Sequence, residues 1–71
     1  MEKNRIRELR LEMGLTQKEL AELTDISRYT IQRAESGRYP ISGRVLLKLV
    51  SFFHVSLLYL VGESDIRRPQ Q

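Results

Sequence analysis

An all-α fold of five short helices is what this chain of 71 residues predicts. Three observations lead there. Apolar residues recur at three- and four-residue spacings, and strand-like alternation is nowhere sustained. Gly14, Gly37, Pro40 and Gly62 cut the chain into segments of helical length. Cysteine is absent, so a chain this small has no disulfide or thiolate–metal staple and must rely on packed helices or on association with another copy.

The first helix is expected over roughly residues 3–13, with Ile6, Leu9 and Met13 on one face and Gly14 as its C-cap. "TQKE" opens the second. Thr16 and Glu19 have the spacing at which a hydroxyl and a carboxylate reciprocally satisfy free backbone amides, and Leu20, Ala21 and Leu23 form the apolar side. Thr24, Asp25 and Ile26 then make a turn before Ser27, the N-cap of a third helix that stops at Gly37. "RYPIS" is a loop, because Pro40 disfavours helix at Tyr39. Ser42 caps a fourth helix over about 43–53, with core positions Leu46, Leu49, Val50 and Phe53. The fifth, about 56–61, is the run "LLYLV", closed by Gly62. "ESDIRRPQQ" has too little apolar content to pack, so residues 63–71 are expected to be a disordered tail behind one domain spanning 1–62.

Charge is unevenly spread. The net charge is only +3, but residues 26–48 carry Arg28, Arg33, Arg38, Arg44 and Lys48 against Glu35 alone. A basic middle between near-neutral flanks points to an anionic partner bound at one place. The third helix lies inside it. At 100° per residue, Arg28, Tyr29, Gln32, Arg33 and Ser36 fall on one arc, while Thr30, Ile31 and Ala34 take the opposite side.

Two short helices joined by a three-residue turn, the second bearing an outward polar arc, follow the helix-turn-helix plan. An α-helix fits the major groove of B-DNA, where base edges display distinct donors and acceptors. Arg28 and Arg33 can each present two donors to guanine O6 and N7, and Gln32 can pair with adenine N6 and N7. Tyr29 can contact a thymine methyl or a phosphate. Gln17 begins the second helix, where free amides and the helix dipole favour an anion. Ser27 can donate to a phosphate as well as cap. Arg38, Tyr39 and Arg44 follow the reading helix and can grip the same backbone, holding it in register.

The stretch "LTQKELAELTDISRYTIQRAESG" resembles the phage repressor/Cro-type helix-turn-helix family, and the similarity runs from Ile6 to Leu60, including Val55, Ser56 and Leu60 near its end. The resemblance implies a compact, lambda-repressor-like domain with its helix-turn-helix at helices 2 and 3, bound to double-stranded DNA. It implies base reading by Arg28, Tyr29 and Arg33, with Gln32 beside them, and a phosphate contact at Gln17. It also implies that Glu35 pairs with Arg10, which borders the buried face next to Leu9; the alternative is Glu35 accepting from cytosine. Two departures stand out. Asp25 sits where the turn commonly has glycine, and Ala34 where a larger apolar side chain is common.

In the fifth helix Leu57, Leu60 and Val61 can share an inner face, leaving Leu58 and Tyr59 pointing elsewhere. Because the resembled family often dimerises there, Leu57, Leu58 and Tyr59 are the expected interface. Two reading helices about 34 Å apart would then face successive major grooves of a palindromic site.

The expected function is therefore a cytoplasmic, homodimeric transcriptional regulator, a repressor acting by occupancy, with no cofactor. The alternative is an antitoxin or antagonist whose helices bind a protein partner. Membrane attachment is disfavoured. The most apolar stretch, "VLLKLVSFFHVSLLYLV", is shorter than the roughly 20 residues needed to span and has Lys48 inside it. An enzyme is disfavoured too. The single histidine, His54, has no cysteine or carboxylate cluster beside it, and no glycine-rich phosphate loop or metal-ligand spacing is present. The expectation of a cytoplasmic location rests on an N-terminus without an apolar signal region.

Overall fold

A computed structural model describes residues 4–69. Its elements are α1 (Ile6–Glu12), α2 (Gln17–Thr24), α3 (Arg28–Ser36), α4 (Gly43–Phe53) and α5 (Leu57–Leu60), with no strand among the described residues. The expected start of the first helix at residue 3 and the last two tail residues lie outside the described range.

Hydroxyl caps set the starts of α2, α3, α4 and α5. The Thr16 hydroxyl accepts from the Glu19 amide at 3.0 Å while the Thr16 amide donates to the Glu19 carboxylate at 2.8 Å. Ser27, Ser42 and Ser56 accept in the same way from the amides of Thr30, Val45 and Tyr59. Such a cap is worth roughly 1 kcal/mol, a large contribution to helices of four to eleven residues that are marginal alone.

Each helix contributes to one centre. Ile6 and Leu9 of α1, Leu20 of α2, Ile31 of α3, Leu49 of α4 and Leu60 of α5 are almost wholly inaccessible to solvent. Leu46, Val50 and Phe53 pack against this cluster from the edge of α4. Helix α1 is shorter than expected, and that moves one residue. Met13 adopts the cap conformation beyond the last turn, so it stands 52% exposed instead of joining Ile6 and Leu9. In α2 the inward side is Leu20, Ala21 and Thr24, which leaves Leu23 exposed. Thr24 tolerates burial because its hydroxyl donates to the Leu20 carbonyl at 2.7 Å.

The turn between α2 and α3 does without glycine. Asp25 takes the left-handed conformation, φ 56° and ψ 43°, which Asp tolerates better than most residues. Its neighbour Ile26 is buried and donates its amide to the Ala21 carbonyl, closing α2. His54 ends α4 in the same conformation, φ 57°, on the surface.

The segment after Gly62 departs from the expected disordered tail. Ser56 donates its amide to the Arg67 carbonyl at 2.8 Å and its hydroxyl to the Ile66 carbonyl at 2.9 Å. Arg67 reaches the Glu12 carboxylate at 2.7 Å, and Arg5 donates to the Ser64 carbonyl at 2.9 Å and to Asp65 at 3.1 Å. Carbonyls and charges dock this strap against α1 and the start of α5. An apolar-content criterion does not register them.

Candidate nucleic-acid interface

Helices α2 and α3 pack directly on each other, and α3 divides sharply into two sides. Ile31 and Ala34 face the core at 0% and 3% exposure. Arg28, Tyr29, Gln32 and Ser36 are exposed on the other side, as a polar arc that contributes nothing to the core. Asn4 donates to the Ala34 carbonyl at 2.8 Å, tying the last turn of α3 to the approach to α1.

Arg33 is the exception on this face, half-buried where its neighbours are open. Its guanidinium carbon lies 3.6 Å from the centre of the Tyr39 ring and 5.2 Å from that of Tyr29. Its Nη1 donates to the Tyr29 hydroxyl at 2.9 Å. Tyr39 reaches this position because Gly37, at φ 73°, turns the chain back after α3. The Ser36 hydroxyl reinforces that turn, donating to the Arg33 carbonyl and accepting from the Arg38 amide.

Beneath the arc, Arg10 and Glu35 meet in a two-pronged pair. Arg10 Nε donates to Glu35 Oε2 at 2.6 Å and Nη2 to Oε1 at 3.1 Å, with side-chain exposures of 9% and 5%. Arg10 Nη1 donates to the Leu15 carbonyl at 2.7 Å, and Gln17 Nε2 donates to Glu35 Oε1 at 3.0 Å. The hydrogen bond to Glu35 raises the Arg10 guanidinium above its ordinary range, with the opposite charge assisting and burial opposing. Both Glu35 oxygens are engaged inside the chain, so the cytosine-accepting alternative is not what this geometry favours.

The residues expected on phosphate are differently disposed. Gln17 opens α2, but its side-chain amide is turned to Glu35. With Arg28 and Lys18 it borders one shallow depression, and Lys18 was not singled out from the sequence. The Ser27 hydroxyl is occupied locally, accepting from the Thr30 amide and donating to the Thr30 hydroxyl at 2.7 Å. Arg38, Arg44 and Tyr39 are exposed, with the Arg33 guanidinium over one face of the Tyr39 ring.

Sequence reasoning counted Lys48 among the basic residues but gave it no structural role. Its ammonium donates to the Asp25 carbonyl at 2.9 Å, so α4 braces the turn that sets the angle of α3. A lysine on an otherwise apolar helix face was the available signal. Of the expected dimer residues, Leu57 and Leu58 are 45% and 52% exposed. Tyr59 is not free in the same way, since the Arg5 guanidinium lies 4.0 Å over its ring.

Among the described residues no group of three or more His, Cys, Asp or Glu side chains is arranged to hold a metal ion. No helix among them is long and apolar enough to cross a membrane.

Comparison with known proteins accords with this geometry. The helix-turn-helix family matches residues 6–60. The chain is 59% identical over 65 residues to an uncharacterized HTH-type transcriptional regulator of Methanothermobacter thermautotrophicus, covering 87% of this chain and 94% of that one. It is 38% identical over 66 residues to an uncharacterized HTH-type transcriptional regulator of Archaeoglobus fulgidus, covering 90% and 94%. It is also 41% identical over 63 residues to the HTH-type transcriptional regulator PrpR of Mycobacterium tuberculosis, covering 89% of this chain but only 13% of that protein. No solved structure gives a significant match. With its five helices, its α2–α3 unit and a match over most of its length, the chain belongs to the helix-turn-helix family of the phage repressor/Cro (XRE-like) type.

Proposed function

We propose that this chain is a sequence-specific double-stranded DNA-binding regulator of transcription, a repressor that acts in the cytoplasm by occupying a palindromic operator as a dimer. The observation that carries this reading is the outer arc of α3. Arg28, Tyr29 and Gln32 stand free of the core on a helix whose orientation is fixed from below. With Arg33 they offer donors, an acceptor and a flat ring to base edges. Arg38 and Arg44, exposed and following α3 in the chain, supply the phosphate contacts, and Gln17 and Ser27 join them on leaving their partners inside the chain. The relatives, all named HTH-type transcriptional regulators, support the same reading. The exposed Leu57 and Leu58 support a two-fold interface through α5.

The test starts from duplexes selected by the wild type from a random pool. Arg33→Ala is expected to lose about 1–3 kcal/mol on the selected duplex and much less on random DNA. Equal losses on both remove base reading from Arg33. Arg44→Ala is expected to weaken all duplexes alike and to flatten the slope of log affinity against log salt by about 0.9. For the dimer, sedimentation of wild type and Leu58→Glu decides. Two identical monomeric profiles would end the α5 interface.

A further inference from the structure

The geometry points to Tyr39 as a specificity-positioning residue: its ring is the platform that holds the Arg33 guanidinium in one orientation, with its Nε–Nη2 edge presented to a guanine. This assignment rests on the reading of α3 as a base-reading helix. It changes the part played by Tyr39, which the sequence placed among phosphate contacts.

Three observations on different atoms converge. The first is the stack, with the Arg33 guanidinium carbon 3.6 Å from the centre of the Tyr39 ring. At that distance the planar cation lies on the ring face, and its in-plane N–H edges remain open. The second is the single hydrogen bond from Nη1 to the Tyr29 hydroxyl at 2.9 Å, with the Tyr29 ring centre 5.2 Å away. That bond fixes rotation within the plane of the stack. It occupies the Nη1 side and leaves Nε and Nη2, which share one edge and can donate side by side. Arg10 uses the same two atoms, Nε and Nη2, to hold both oxygens of Glu35 in this protein. Guanine O6 and N7 form a comparable two-acceptor edge.

The third observation is how Tyr39 is held. Gly37 turns the chain back at φ 73°, and Ser36 bonds on both sides of that turn. Pro40 follows directly and restricts the backbone of Tyr39. The platform is therefore set by the loop and not by DNA. An exposed arginine has many rotamers, and a guanidinium already seated on a ring loses less freedom when it meets a base. Tyr39 thus sharpens discrimination at one base pair without touching that base.

The experiment uses the full chain and the duplex selected by the wild type, with each base pair replaced in turn. The pair read by Arg33 is the one at which Arg33→Ala loses discrimination. Tyr39→Ala is expected to reduce discrimination at that same pair about fivefold and to leave the other pairs and the salt slope unchanged. Tyr39→Phe, which keeps the ring, is expected to restore discrimination. In the free protein, the Arg33 Nε–H resonance is expected to lose its ring-current shift in Tyr39→Ala and keep it in Tyr39→Phe. Several results overturn the assignment. Uniform weakening of all duplexes by Tyr39→Ala, with a flatter salt slope, makes Tyr39 a phosphate contact. Tyr39→Phe behaving like Tyr39→Ala makes its hydroxyl the active part. Undiminished discrimination in Tyr39→Ala, with the wild type selective, removes the platform but leaves α3 as the reader. A wild type with no preferred duplex overturns both readings together.

Discussion

Arg10 of α1 and Arg5 at its N-cap are used in the opposite way to the arginine in the middle of α3. Arg10 makes three hydrogen bonds, to both Glu35 oxygens and the Leu15 carbonyl. Arg5 also makes three, to the Tyr59 and Ser64 carbonyls and to Asp65. Arg33 makes one, to a tyrosine hydroxyl on its own helix. Arg5 and Arg33 both lie over tyrosine rings, so stacking alone does not separate structure from recognition. The number of donors left unengaged does. A guanidinium with three of its five donors matched inside the chain holds the protein together, and one with a single donor matched has an edge available to a ligand.

The comparison predicts a graded series in stability. Arg10→Met has the largest effect, because it leaves the Glu35 carboxylate at 5% exposure without its countercharge. A loss of about 3 kcal/mol is expected, read as a fall in Tm of roughly 12 °C or more. A loss near zero would mean that Gln17 and water satisfy Glu35 unaided. Arg5→Met comes next. Its carbonyl partners on α5 and the strap lose a charged donor, and about 2 kcal/mol is expected. Amide exchange at Ser56, which donates to the Arg67 carbonyl, should accelerate more than exchange in α2; equal acceleration would mean that the strap is not a separate unit.

Acid should loosen the strap more gently. The hydrogen bond from Arg67 holds the Glu12 carboxyl below its usual range, with desolvation opposing and charge attraction assisting. Since the folded value lies below the unfolded one, this contact stabilises fully above the ordinary glutamate range. Its contribution is lost as pH falls through the depressed value. The Ser56 amide shift should follow that titration in the wild type and ignore it in Glu12→Gln. At the end of the series stands Arg33→Ala, expected to stay within about 0.5 kcal/mol of wild-type stability. A larger loss in thermal unfolding would mean that the free-edge arginine also supports the fold.

What the sequence made legible follows the same division. Caps at Thr16, Ser27 and Ser42 are local signals, and all three form; Ser56 caps α5 in the same way without having been read as a cap. The polar arc of α3 is periodic and emerges as one exposed side. Met13 and Leu23 were misplaced because a one-residue change in where a helix ends, or in its inward side, moves an apolar side chain from core to solvent. The docking of Arg5 to Asp65, sixty positions away, has no periodicity to reveal it. Lys48 on the Asp25 carbonyl is similar, since any carbonyl in reach can accept. The stack of Tyr39 on Arg33 depended on the turn at Gly37, which composition does not describe.

Because the outward side of α3 contributes no side chain to the core, its letters can be exchanged while the scaffold beneath stays put. New combinations at positions 28 and 32 should yield proteins that melt like the parent yet favour other duplexes. Position 33 is the one that should travel with companions, changed together with positions 29 and 39 as a single unit.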